Sequence, residues 1–347
     1  QAEDGIRDLV RSRGLGDVYK RQILECLNAV DADINCSDEE WERVYKLQLV
    51  RLELQCKELI STFKKAKGGT YKEIFHNTLD LIQNARLLPP QDWVGIKDAW
   101  VIETFIPLAK SFPDAKFIVV LRDPRASVSS NLNIRNKDMI AHSISFARAW
   151  RKNVAFSIYL RSLPEFKDRI HFVSYEKLVN SPKDEVMKLC GFLEIDYHLD
   201  MINTDKFIDY STGNIWTGNS SYEEKTSGIS PHRIDRWKES LTDEALAAVE
   251  YICGQDLSLV GLKPTEKFEN FKLNSEAFNF FLEDNTGNKV WRADSEIPEL
   301  EYGYESTRNT MLINKKHNYP KSLIEKAFLF SEVYDELISD NPRSLFE

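Results

Sequence analysis

Long apolar runs are missing. No stretch of the 347 residues approaches the roughly 18 consecutive apolar residues that a membrane-spanning helix needs. A basic excess is missing too. Lys and Arg number 46 against 55 Asp and Glu, a formal charge of −9, which argues against a nucleic-acid-binding surface. Cysteine is scarce, and Cys26, Cys36, Cys56, Cys190 and Cys253 form a scattered set without CxxC or a nearby His pair. That spacing disfavours a metal site, zinc above all. The six histidines show no convergent spacing either, and none is assigned catalysis. Internal repeats and low-complexity tracts are absent. Cys190 and Cys253 lie in apolar helical contexts and are expected as buried free thiols. What remains is a chain 42% hydrophobic and 29% charged, ordinary for a globular protein with one large α/β domain and an appendage, or two domains.

Residues 1–22 show no helical or strand period. Asp4, Asp8 and Asp17 spoil any reading as an Arg-rich targeting peptide. The stretch Asp17-Val18-Tyr19-Lys20-Arg21-Gln22 resembles a translated sequencing adapter of the kind that fronts fragmentary metagenomic sequences. It is set aside as a non-native leader, with the expectation that native sequence before Ile23 has been cut away.

From there the pattern is regular. Ser37-Asp38-Glu39-Glu40 is a capping box opening a helix, which the apolar positions from Trp41 to Ile60 carry to Lys67, where Gly68-Gly69 stops it. A second amphipathic helix is expected from about Tyr71 to Leu88, a short strand at Trp93–Lys97, and a helix from Val101 to Phe112. Lys116–Leu121 is a β-branched apolar run typical of a parallel strand buried on both faces. Further helices are expected from Pro124, over Met139–Leu160, around Glu176–Val179 and Pro182–Phe192, and over Leu241–Cys253, with a strand at Ile170–Ser174. Strands alternating with helices predict an α/β fold with a doubly wound parallel sheet. After Gly261 no alternation is legible until a helix near Lys321–Ile338.

In such sheets ligands sit at the carboxyl ends of strands. The strand ending at Leu121 delivers Arg122-Asp123-Pro124-Arg125-Ala126-Ser127-Val128-Ser129-Ser130. Asp123 suits the N-cap and Pro124 the first helical position. Arg122 stands at the strand's mouth, and a guanidinium beside hydroxyls at a helix N-terminus makes a phosphate cradle. The bland alternative is that Asp123 and Arg125 merely cap the helix and pair on the surface.

The stretch from Phe112 to Ser130 resembles the 3′-phosphate-binding segment of the sulfotransferase family, and three further stretches, one before it and two after, stand in family order. Tyr175-Glu176-Lys177-Leu178-Val179-Asn180-Ser181-Pro182 resembles the strand-to-helix segment near the nucleoside. Gly218-Asn219-Ser220-Ser221, then Gly228-Ile229-Ser230, then Arg236-Trp237-Lys238 resemble the C-terminal lid. Gly95-Ile96-Lys97-Asp98 resembles the Lys-Asp strand end of tyrosylprotein sulfotransferases. The resemblance implies 3′-phosphoadenosine-5′-phosphosulfate (PAPS) as sulfuryl donor, with Arg122 and Ser130 on its 3′-phosphate and Tyr175 at the nucleoside end. It places Ser221 and Arg236 at the phosphosulfate and Lys97 with Ser220 at the transferring group. No metal is required, because basic side chains and helix amides neutralise the oxyanions.

The family's phosphate loop, a strand followed by a Lys/Arg-Ser-Gly-Thr-Thr type turn, is nowhere in the sequence. The expected fold is therefore a P-loop-type sulfotransferase sheet whose first strand and phosphate loop are missing, together with the general base. Residues 23–264 form the sulfotransferase domain and 265–347 an extension. This form of the chain is expected to be inactive alone. Two rivals stand beside this reading: a P-loop nucleotide kinase, and a non-catalytic PAPS-binding module. The resemblance leaves the acceptor open among carbohydrate, protein tyrosine, lipid and small molecule, and implies the cytoplasm of a bacterium or a eukaryotic Golgi lumen. It does not bear on oligomeric state.

Overall fold

The computed structural model describes residues 30–55, 57–85, 93–97, 102–135, 139–209, 214–215, 229–231, 234–265, 271–273, 297–316 and 318–347. The expectations for the leader and for Ser220 and Ser221 lie outside them. Two compact units emerge, one of Leu27–Ala115 with Asp205–Trp216, the other built mainly on Lys116–Thr204 and Thr217–Glu347.

The smaller unit begins with α1 (Asp38–Gln55) and α2 (Tyr71–Ala85), ends its helical part at α3 (Phe105–Ser111), and includes the antiparallel pair β3 (Ile208–Asp209) and β4 (Asn214–Ile215). The capping box closes as expected: Ser37 N donates to Glu40 Oε2 at 2.8 Å and Glu40 N to Ser37 Oγ at 3.2 Å. The first helix does not continue to Lys67, however. It stops at Gln55, and short 3-10 turns follow at Lys57–Leu59 and Phe63–Ala66. The reason is Phe63, whose ring lies 5.9 Å from Trp41 and 6.0 Å from Tyr45. A straight helix would hold residues 41 and 63 about 33 Å apart, so the chain must double back to bury all three rings. Gly68 belongs to that return, since a Cβ there would fall 2.6 Å from Glu73 Cβ. The strand expected at Trp93–Lys97 is not one. Those residues are coil, with Val94 52% and Ile96 61% exposed, and no strand among the described residues pairs with them.

The larger unit is α/β. Parallel strands β1 (Phe117–Leu121) and β2 (Ile170–Ser174) are in register from Phe117↔Ile170 to Leu121↔Ser174. Between them run α4 (Pro124–Arg135) and α5 (Met139–Ser162), and α6 (Tyr175–Asn180) and α7 (Pro182–Leu193) follow β2. One face of the pair packs Phe117 against Phe166 at 5.3 Å. On the other, Phe192 of α7 stacks on His171 at 5.2 Å. The β1 residues of that second face stay open, Ile118 37% and Val120 54% exposed. This corrects the expectation of burial on both faces: among the described residues the parallel sheet has two strands, and α7 covers only β2.

Next come α8 (Trp237–Ser240) and α9 (Asp243–Cys253), then α10 (Ile297–Asn314), α11 (Lys321–Phe328) and α12 (Ser331–Ile338). The single helix expected near Lys321–Ile338 is thus two, broken at Leu329, whose φ of 72° is left-handed. The break seats Phe330 flat against Tyr159, ring centroids 4.1 Å apart.

Nothing in the sequence pattern announced α10. Much of its inward face is charged: Glu301, Glu305 and Arg308 are all buried, ahead of the apolar Met311 and Leu312. Glu301 pairs with Arg148 and Glu305 with Arg151 (2.7 Å between Nη2 and Oε2), while Arg308 Nη2 donates to both carboxylate oxygens of Asp256 at 2.7 and 2.9 Å. Cys36, Cys190 and Cys253 are buried free thiols, and burial holds Cys253 well above the usual thiol range. No helix among the described residues is long and apolar enough to cross a membrane.

Candidate functional site

Because β1 and β2 are parallel and in register, both chains leave the sheet at the same edge. Leu121 pairs with Ser174, so Arg122 and Tyr175 emerge side by side. The Arg122 guanidinium lies over the Tyr175 ring, 4.6 Å from its centroid, a cation–π contact in which the ring's face meets the cation. Both side chains are partly exposed.

Behind them the backbone is tightly fixed. The Arg122 carbonyl accepts the Trp150 indole N–H at 2.7 Å, and the Asp123 amide donates to Glu176 Oε1 at 2.9 Å. Ser174 caps α6, its Oγ accepting from Lys177 N at 3.2 Å, and donates to Glu176 Oε2 at 3.3 Å. Burial pushes the Glu176 carboxyl above the usual carboxylate range, and the Asp123 amide only partly offsets it.

Asp123 is the N-cap of α4, its Oδ1 accepting from Arg125 N at 2.8 Å, with Pro124 in the first helical position. Asp123 and Arg125 do not, however, pair on the surface. Arg125 is 5% exposed. Its Nη2 meets Asp123 Oδ2 at 2.7 Å, and its Nη1 meets Glu250 Oε1 at 2.9 Å and the Lys263 carbonyl at 3.0 Å. It also lies 4.3 Å from the Trp237 ring centroid. A guanidinium this surrounded is a structural hub, and it was the depth of the site that sequence reasoning missed.

Ser130 lies in the second turn of α4, partly exposed, while Ser127 Oγ donates back to the Asp123 carbonyl at 3.1 Å. Arg236 stands at the head of α8, whose Trp237 packs with Ala126 of α4 and Leu246 of α9. Ser129 and Ser240 hydroxyls, 2.6 Å apart, join α4 to α8. Arg122, Ser130, Tyr175 and Arg236 thus all belong to the larger unit, on elements that touch α4 or leave the same sheet edge. Lys97 is on the exposed coil of the smaller unit. The residues to which sequence reasoning gave no site role are Trp150, Glu176 and Arg125. Only Glu176 carried a signal, standing next to Tyr175. No group of three or more His, Cys, Asp or Glu among the described residues could hold a metal ion.

Residues 22–199 match the Sulfotransferase family. Protein-tyrosine sulfotransferase 1 of Danio rerio is 30% identical over 128 residues, 36% of this chain and 35% of that protein. Protein-tyrosine sulfotransferase 2 of Gallus gallus is 22% identical over 187 residues, 52% of this chain and 50% of that one. The sulfotransferase domain from the curacin biosynthetic pathway overlays at a TM-score of 0.42 with 19% identity, covering 57% of this chain and 70% of that domain. The chain spans between about a third and a half of the length of these two curated relatives. A match over more than half of the residues makes the chain a member of the sulfotransferase family.

Proposed function

We propose that the chain carries a PAPS-dependent sulfotransferase site, in a domain of the P-loop-type doubly wound class spanning residues 23–264. PAPS supplies the activated sulfuryl group: an acceptor oxygen or nitrogen bonds to sulfur, the bond from sulfur to the phosphate oxygen breaks, and adenosine 3′,5′-bisphosphate departs while the acceptor's proton passes to a base.

This chain's own residues bind and orient. Arg122 offers a planar fork of N–H donors suited to a phosphomonoester, and Ser130 one hydroxyl on the helix whose N-terminus faces the same edge. Tyr175 gives the nucleoside end an aromatic wall. Arg236 and Ser221 serve the 5′-phosphosulfate, with Lys97 and Ser220 at the sulfuryl group. Basic side chains and amides suffice there to neutralise charge without a metal. The curated relatives are named for protein tyrosine, so a peptidyl tyrosine is the first acceptor to try.

The observation that carries this reading is the Arg122 guanidinium over Tyr175 at the shared carboxyl edge of β1 and β2. Calorimetry with adenosine 3′,5′-bisphosphate tests it. Arg122→Ala should lose at least about tenfold in affinity, since charge-assisted bonds are worth about 1.5–3 kcal/mol each. Unchanged affinity would refute the role.

A further inference from the structure

We propose that Glu176 is a positioning residue for the nucleotide's 3′-phosphate: wedged between the two strand mouths, its carboxylate locks the peptide that carries Arg122. The proposal rests on the reading of that edge as the phosphate site.

A peptide unit has two polar atoms, and both of this one are held from different helices. The Arg122 carbonyl is held by the Trp150 indole of α5 at 2.7 Å, and the Asp123 amide by Glu176 Oε1 of α6 at 2.9 Å. With both fixed, the Arg122–Asp123 peptide cannot rotate about its ends, so the direction in which the Arg122 side chain leaves the backbone is set. Glu176 is fixed in turn, because Ser174 Oγ donates to its Oε2 at 3.3 Å. The next residue back, Tyr175, meets the other end of the same arginine. Two adjacent residues of α6 therefore govern Arg122 at both ends, the backbone through Glu176 and the guanidinium through Tyr175.

A carboxylate is an expensive choice for this place. It is largely removed from solvent and has Asp123 as a like-charged neighbour, both of which disfavour its ionised form. An apolar side chain would fill the space without that cost, but could not accept the Asp123 amide. The hydrogen bond is what the acidic side chain brings, and a neutral amide would bring it too.

The test is calorimetry on the full chain with adenosine 3′,5′-bisphosphate and, as a probe lacking the 3′-phosphate, adenosine 5′-monophosphate. Melting temperatures are measured alongside. Glu176→Ala should lose about tenfold on the bisphosphate and little on the monophosphate. Glu176→Gln, whose carbonyl still accepts from the Asp123 amide, should stay within about threefold of the wild type. A lowered melting temperature with the bisphosphate preference intact would reduce Glu176 to a structural residue and overturn the proposal. Should Glu176→Ala fail to fold, Trp150→Phe releases the same peptide from its other side and should weaken the bisphosphate selectively. Unchanged preference there would also overturn it. A wild-type chain that prefers neither nucleotide would instead refute the phosphate reading itself, a result distinct from either variant's behaviour.

Discussion

Arginine does one job where α5, α9 and α10 meet and another at the strand mouths. In the seam, Arg148, Arg151 and Arg308 are each at most 6% exposed and sunk into carboxylates. Arg125 is built the same way, between Asp123 and Glu250. Arg122, three residues before it, is partly exposed and lies against an aromatic face. The difference is chemical. A guanidinium forked by a carboxylate is already neutralised, and an arriving phosphate would have to displace that partner. A guanidinium over a ring has the aromatic face on its flat side, and its N–H donors point along its edge, away from that face. Position in the chain does not separate these arginines, whereas burial and the kind of partner do.

The largest effect that could break this contrast is Arg308→Ala. It strands the Asp256 carboxylate in a site 1% exposed and should destabilise the larger unit by about 3–5 kcal/mol in denaturant titration. Pairing Arg308→Met with Asp256→Leu should recover most of that loss.

Acid comes next. Burial acts to raise Glu305, but Arg151, and then Arg148 and Arg308, outweigh it and hold the carboxyl below its usual range. A depressed folded value means the stabilisation is present above the unfolded value of about 4.3 and is lost as pH falls through the folded value. Hydrogen exchange over residues 297–314 should therefore open at acid pH, and Glu305→Gln should flatten that dependence.

Smaller again is Ser240→Ala, which removes the hydroxyl pair joining α8 to α4. It should cost about 1 kcal/mol in thermal unfolding. The smallest stability effect belongs to Arg122→Ala, within about 0.5 kcal/mol of wild type, although its effect on nucleotide affinity is large. Should Arg122→Ala destabilise as much as Arg308→Ala, the distinction between the two kinds of arginine falls.

The same contrast explains what was legible in the sequence. The strand at Phe117–Leu121 and the turn after it could be read because β-branched apolar residues and an Asp-Pro helix start are local signals. The first helix was overextended because its apolar positions give no sign that Phe63 must return to Trp41, a contact spanning 22 positions. Helix α10 was invisible for the opposite reason. Of its buried positions among the described residues, only Met311 and Leu312 are apolar, while Glu301, Glu305 and Arg308 keep helical spacing but are charged, and periodicity is sought in apolar residues. Arg125 misled in the same way, since only the folded chain brings Glu250 to it across 125 positions. Trp93–Lys97 has the composition of a strand, but no strand among the described residues pairs with it.

The charged face of α10 bears on how the chain folds. Ribosomal synthesis delivers α5 and its arginines about 150 positions before Glu301 and Glu305 appear. An amphipathic helix waiting to dock with an apolar stripe exposed invites association with other chains. Along Glu301, Glu305 and Arg308, α10 waits with a stripe that water solvates well, and that part of its surface becomes dry only when the matching charges meet it. Arginine buried late in this way makes the last long helix safe to leave undocked, and selective once it docks, because a misregistered face would bury charge without a partner.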